Sequence, residues 1–210
     1  MISMILPIIL HHDNSKQYTD DLVERLKPRK AFVIDSSKLG TQFTDSFNLA
    51  LNVFLHSKFS HVMVCNNDID LDYEELHALQ KVIYNRQGIF SPIVNSPHRL
   101  VMSRVGDEEL RIVPWVEFVC PIISKNVVKD IGLLDSNITL GWGIELDYCY
   151  RAEIVGYRTK LIQTVDVHHY GHKSQSDHSE YSHYANIEMN GRLREKYGDN
   201  WQEVLKYPQW

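Results

Sequence analysis

Short apolar runs alternate with longer amphipathic stretches along the first half of the chain. Ile5 to Leu10, Ala31 to Ile34 and Val62 to Cys65 are too short for helices and end in polar residues, so they read as buried strands. Between them, Ser15 to Leu26 has helical spacing and is terminated by Lys27-Pro28, while Thr44 to His56 sets Phe47, Leu51 and Phe54 on one face. Tyr73 to Tyr84 is a third helix, with Asp72 as N-cap and Glu75 placed to complete a capping box, and Gly88 to Pro92 begins the next extended piece. This alternation predicts a parallel sheet with helices on its faces.

The second half is less regular. Leu100 to Val105 and Leu110 to Pro114 flank Gly106-Asp107-Glu108-Glu109 and predict a hairpin; Val116 to Ile123 predicts a strand, and Lys125 to Ile131 a short helix closed by Gly132. Gly141-Trp142-Gly143 precedes a helix over Ile144 to Val155, which Gly156 stops. Thr159 to His169 then alternates as a strand, with Val165, Val167 and His169 on one face. The fold class is therefore α/β: a mainly parallel central sheet flanked by helices, with a small antiparallel annex. Beyond His169 the chain turns polar, with His172, His178 and His183 among Ser174, Ser176 and Ser179. That stretch reads as a solvated or substrate-contacting loop; its spacing matches no closed zinc pattern and no cysteine is near.

Length and composition narrow the picture. A chain of 210 residues, 43% hydrophobic and 23% charged, fits one globular domain with a substantial core. The net charge of −5, from 22 basic and 27 acidic residues, argues against general nucleic-acid binding, which needs a basic face. Cys65, Cys120 and Cys149 are odd in number, sit in apolar surroundings and form no CxxC, so they read as buried thiols in a reducing compartment. Met1 to Leu10 has neither a basic leader nor the length to span a bilayer. A cytoplasmic location with no targeting or transmembrane segment is the expectation.

Candidate chemistry collects at strand ends. His11 to Asn14, Asp35 to Ser37 and Asn66 to Asp70 each follow a strand, and in an open α/β sheet such ends face one crevice. Asp68 and Asp70 offer the hard oxygen ligands that Mg²⁺ and Mn²⁺ prefer; a plain polar turn before the next helix would explain Asp72 and Glu75 but leave Asp68 and Asp70 idle. Asp35 could accept from a base or ribose, or simply close a turn. In the helix after Gly141-Trp142-Gly143, Asp147 and Arg151 have ion-pair spacing, whereas Glu145 follows two glycines and an aromatic platform and could face a pocket as a general base or complement the helix dipole. His169 could complete a metal site. Neither GxGxxG nor GxxxxGK occurs, so phosphate handling falls to a metal.

These blocks, in this order, resemble GT-A glycosyltransferases of the large family 2 type. The resemblance runs through Pro7 to Asn14, Ala31 to Ser37, Asn48, Val62 to Leu76, Gly132-Leu133-Leu134-Asp135, Gly141 to Arg151, Gly156-Tyr157-Arg158 and His169 to Ser174. It implies a single GT-A catalytic domain over residues 1–210, with a nucleotide-binding half to about residue 95 and an acceptor half beyond. It further implies a metal-dependent inverting transfer of a hexosyl or deoxyhexosyl group from a UDP-sugar to a hydroxyl of a glycan or glycoprotein. By this correspondence Leu10, His12, Asp35, Asn48, Asn66 and Asn67 contact the donor, while Asp68, Asp70 and His169 hold Mn²⁺ or Mg²⁺. Glu145 and Asp147 form the catalytic acidic pair, and Trp142 and Gly143 meet the acceptor.

The sequence also departs from that pattern. Asn66 stands where the first Asp of the metal motif is usual, so the motif is either Asn66-Asn67-Asp68 or Asp68-Ile69-Asp70, with Asp68 common to both. Phe47 replaces a frequent phosphate-contacting Arg, and Glu145 a frequent Asp. The small size resembles the catalytic domain of capsid-protein glycosylating enzymes of large DNA viruses such as those of chlorella, which would put its action in the host cytoplasm. Two other functions fit less well. A sugar-1-phosphate nucleotidyltransferase would need a glycine-rich basic loop near the start, and a binding module would use Trp115 and Trp142 only to stack on sugars.

Overall fold

The computed structural model describes residues 4–11, 16–95, 99–171 and 178–207. Its first half follows the predicted alternation: β1 (Ile5–His11), α1 (Lys16–Arg25), β2 (Phe32–Asp35), α2 (Ser36–Leu39), α3 (Phe43–Leu55), β3 (His61–Asn66), β4 (Ile69–Asp70), α4 (Tyr73–Val82) and β5 (Ile89–Val94). β1 is buried along almost its whole length, which is why it reads as an unbroken apolar run: it lies between β2 and β3, parallel to both, with helices over its faces. In α3, Phe47, Leu51 and Phe54 are all fully buried. Each such side chain contributes about 1.5–3 kcal/mol relative to exposure. The Asp72 capping box is present: Glu75 N–H donates to Asp72 Oδ1 at 2.8 Å, and Asp72 N–H donates to Glu75 Oε2 at 2.9 Å.

The second half comprises α5 (Arg99–Met102), β6 (Leu110–Ile112), β7 (Ile122–Ser124), α6 (Lys125–Ile131), α7 (Ile144–Ile154), β8 (Thr159–His169), α8 (His178–Tyr197) and α9 (Trp201–Val204). The sheet runs β2-β1-β3-β7-β5-β8-β4, with β6 also on β8. β1–β2, β1–β3 and β5–β8 are parallel; β3–β7, β5–β7, β4–β8 and β6–β8 are antiparallel. The sheet is thus mixed, and its antiparallel share is larger than the alternation of elements suggested.

Three second-half expectations are corrected. The hairpin over residues 100–114 does not form: Leu100 lies in α5, and β6 pairs with β8 instead. Its place is set by Gln163, buried in a bulge of β8, whose side chain accepts from Val105 N–H and donates to the carbonyls of Val105 and Glu108. Those bonds hold the 105–108 backbone against β8 and away from a two-strand turn. The strand expected over Val116 to Ile123 shortens to β7, because Phe118 to Cys120 turn and Pro121 has no N–H to continue a ladder. The polar stretch after His169 contains the 20-residue α8. Its apolar stripe is a single row at spacing four, Tyr181, Ala185, Met189, Leu193 and Tyr197, narrower than the usual amphipathic face.

Candidate active site

The carboxyl ends of β2, β1 and β3 are level: His11 is opposite Asp35, and Leu10 is opposite Asn66. The first residues beyond β3 therefore emerge at one edge of the parallel sheet, where open α/β folds leave a crevice. β4 then pairs with the end of β8, Ile69 opposite His169, and Tyr170 N–H donates to the Asp68 carbonyl at 2.9 Å. This pairing brings two side chains 101 positions apart into contact: His169 Nε2 lies 3.1 Å from Asp68 Oδ1. Asn95 fixes the histidine from behind, its amide donating to the His169 carbonyl and accepting from the His169 N–H. Val165 and Val167 are buried on the same face of β8, as the alternation predicted.

The neighbouring amides behave differently from each other. Asn67 is buried and donates to Thr19 Oγ1 at 3.0 Å; that hydroxyl also meets His11 Nδ1 at 2.8 Å, so Asn67 ties β3 to α1 and β1. Asn66 Oδ1 is buried with no hydrogen-bond partner. An orphaned carbonyl oxygen at a strand end is an unusual expense in a folded chain and calls for a cation or a donor.

Other predicted site residues have partners within the chain. Asp70 is drawn to Arg25, with Tyr170 Oη at 3.4 Å, so the described Asp–His contact belongs to Asp68 rather than Asp70. Asp35 caps α2: it accepts from Ser37 Oγ and Lys38 N–H and pairs with Lys38 Nζ at 2.7 Å. The Lys38 side chain, helped by Ser37, holds its carboxyl far below the usual carboxylate range. Asn48 clamps Leu134, donating to its carbonyl at 3.1 Å and accepting from its N–H at 2.9 Å. Leu10 is buried with strands on both sides. His12, His172, Ser174 and Ser176 lie outside the described residues, as do the side chains of His178 and Ser179, while His183 is exposed on α8.

A second cluster gathers at the start of α7. Gly143, the N-cap, has φ of 87° and packs so closely on α8 that a Cβ there would sit 2.6 Å from Met189 Cγ. Trp142 is 38% exposed beside it. Glu145, partly accessible in the first turn, has its carboxyl pushed up to about 8, first by burial and further by Glu117, against the pull of the Glu145 and Gly143 N–H groups. Burial, and after it the charge of Glu145 and Glu117, raises the Tyr207 hydroxyl. Glu117 escaped sequence reasoning because it lay inside a predicted strand; an acid flanked by Trp115, Val116, Phe118 and Val119 was the available signal.

Asp147 has a different environment from Glu145. Fully buried, it accepts from Arg151 Nε at 2.9 Å and Tyr197 Oη at 2.7 Å and pairs with Lys196 Nζ at 2.6 Å; Lys196 reaches on to Asp135 at 2.8 Å. It ties α8 to α7, with both carboxylate oxygens engaged by side chains of the two helices. Among the described residues no group of three or more His, Cys, Asp or Glu could hold a metal by itself, and no helix is long and apolar enough to cross a membrane.

No protein-family model matches this chain, and no curated protein matches its sequence. Solved structures do match. GalNAc-T7 with UDP, GalNAc and Mn²⁺ is similar over 99% of this chain at a TM-score of 0.66 and 11% identity; this chain spans 52%, about half, of that one. A197 from STIV is similar over 80% of this chain and 86% of its own, with a TM-score of 0.56 and 11% identity. Staphylococcus (S.) aureus TarS 1–349 in complex with UDP is similar over 96% and 70%, with a TM-score of 0.54 and 11% identity. At such identity the likeness shows the fold: this chain has the mixed α/β GT-A architecture.

Proposed function

We propose that this chain is a metal-dependent glycosyltransferase that moves a hexosyl or deoxyhexosyl group, with inversion, from a UDP-sugar to a hydroxyl of a glycan or glycoprotein. The observation that carries the proposal is the convergence of Asp68 and His169 at the carboxyl edge of the parallel strands. Solved neighbours of the same fold contain UDP, one of them with GalNAc and Mn²⁺ as well, which supports a nucleotide-sugar reading. On this reading residues up to about 95 hold the donor and those beyond admit the acceptor, in the cytoplasm, as the free buried cysteines suggest.

The residues present fit a divalent ion. Asp68 and His169 would hold it, a carboxylate and imidazole pair that suits Mn²⁺ better than Mg²⁺, and the orphaned Asn66 oxygen fits a cation or a donor group nearby. When bound, the ion supplies charge neutralisation for a departing diphosphate. Glu145 takes the proton from the acceptor hydroxyl, for which it must be ionised. Asp147 acts as an anchor, and Trp142 offers an exposed ring to the acceptor sugar.

The test is UDP release from a panel of UDP-sugars with Mn²⁺. Glu145→Gln should slow it by about 10²–10⁴-fold. In a thermal-shift assay the variant should keep the stabilisation that UDP and Mn²⁺ give the parent, and Asp68→Asn should lose it. Undiminished release by Glu145→Gln removes the base assignment; no stabilisation of the parent by UDP with Mn²⁺ overturns the whole reading.

A further inference from the structure

Two of the three cysteines face each other across the sheet. The β3–β7 ladder pairs His61 with Ser124, Val62 with Ile123 and Met63 with Ile122. The same register continues past the end of β7: Val64 N–H donates to the Pro121 carbonyl at 3.2 Å, and Asn66 N–H donates to the Val119 carbonyl at 2.8 Å. Cys65 and Cys120 lie between those two bonds, at directly opposed positions that exchange no hydrogen bond of their own. Such non-hydrogen-bonded antiparallel pairs hold Cα atoms about 4.5 Å apart, with both side chains on one face. A disulfide spans Cα separations of about 4.4–6.8 Å. Both thiols are free and buried, and Cys149 lies apart on α7.

We infer that Cys65 and Cys120 are an oxidisable dithiol that closes to a cross-strand disulfide in the presence of a low-molecular-weight disulfide such as oxidised glutathione. The reaction is a two-electron exchange. One thiolate attacks the glutathione disulfide, releasing one glutathione thiolate and leaving a mixed disulfide; the second cysteine then displaces the other glutathione. The protein loses two hydrogens, and two reduced glutathione molecules leave. Burial raises both thiols, so neither reacts in the closed sheet. Reaction therefore requires the buried Phe118 to Cys120 turn, which is outside regular secondary structure, to open.

The link would act on the candidate site. Cys65 immediately precedes Asn66, whose N–H is already held by Val119. Cross-strand Cβ atoms ordinarily lie about 4.5–5.5 Å apart, whereas a disulfide needs about 3.5–4.5 Å. Closure therefore draws residues 119–121 onto β3 and fixes the floor from which Asn66 and Asp68 project. The inference is independent of the proposed glycosyl transfer.

The test is to incubate the folded chain in glutathione buffers of rising oxidised fraction, quench with acid, unfold, alkylate and map the peptides by mass. The expected result is loss of about 2 Da before alkylation, a peptide joining Cys65 to Cys120, alkylation of Cys149 alone among the three cysteines, and full reversal by dithiothreitol. Cys149→Ala should form the same link, and slower hydrogen exchange at the Asn66 amide should accompany it. The inference is overturned if all three cysteines stay alkylatable, if glutathione remains attached as a stable mixed disulfide, or if the link includes Cys149. The parent's own peptide map decides the matter even if substitutions at Cys65 or Cys120 fail to fold.

Discussion

The Glu145 carboxyl is pushed up to about 8 because burial strips water from its charged form, with Glu117 adding a like charge. As a base it works only when ionised, so turnover should rise as pH climbs through about 8, and Glu117→Gln should move that limb to lower pH by removing the repulsion. A pH–rate profile of UDP release for both proteins checks this, and an unmoved limb would separate the two carboxylates. Stability should run the opposite way. The folded state binds the Glu145 proton more tightly than the unfolded state, so this residue's contribution falls as pH rises from about 4.5 towards 8. Glu145→Gln should therefore melt higher than the parent at pH 8 and differ little at pH 4, as calorimetry would reveal. Glu145 stood out in the sequence as the proposed base from its place after Gly-Trp-Gly; the perturbation of its carboxyl did not, because Glu117 reaches it only through the fold.

Between elements, the interface of α7 with α8 leaves little room for change. Gly143 must adopt a φ of 87° against Met189 and Leu193, so Gly143→Ala combines left-handed backbone strain with a collision. A loss on the order of 1–3 kcal/mol is expected, read as a lower melting temperature and faster proteolysis within α8. Asp147 binds the same two helices through Arg151, Tyr197 and Lys196. Asp147→Ala leaves two cations without this buried partner and should cost about 3–5 kcal/mol, measured as a lower urea midpoint. A much smaller loss accompanied by abolished turnover would return Asp147 to the catalytic pair. The Asp147–Arg151 spacing could be read from the sequence. Tyr197 and Lys196 could not, because α8 offers only a one-residue-wide apolar row among polar neighbours.

Across the whole molecule, one sheet ties the halves together: β7 and β5 connect the parallel β2-β1-β3 unit to β8. Hydrogen exchange should find amides of β3, β5 and β8 slowest, since each is paired on both sides, and those of edge strand β2 faster, with Phe32 and Val33 exposed. Equal protection of β2 and β3 would contradict that hierarchy. By itself the sequence determined the elements whose signals are local. The buried runs of β1 and β3, the Asp72 cap, α6 and the alternation of β8 follow from propensity, capping and period, each contained within a few neighbouring residues. Tertiary structure alone decided which segments pair and which side chains meet. β6 chose β8 over a hairpin through a buried glutamine, and Asp68 found His169 because β4 joined the far end of β8. Asn48 and Asp35, each expected at the donor by its motif, also hold Leu134 and Lys38, partners that the motif did not indicate. Such contacts lie many residues apart or turn on side-chain direction, and periodicity carries no information about either.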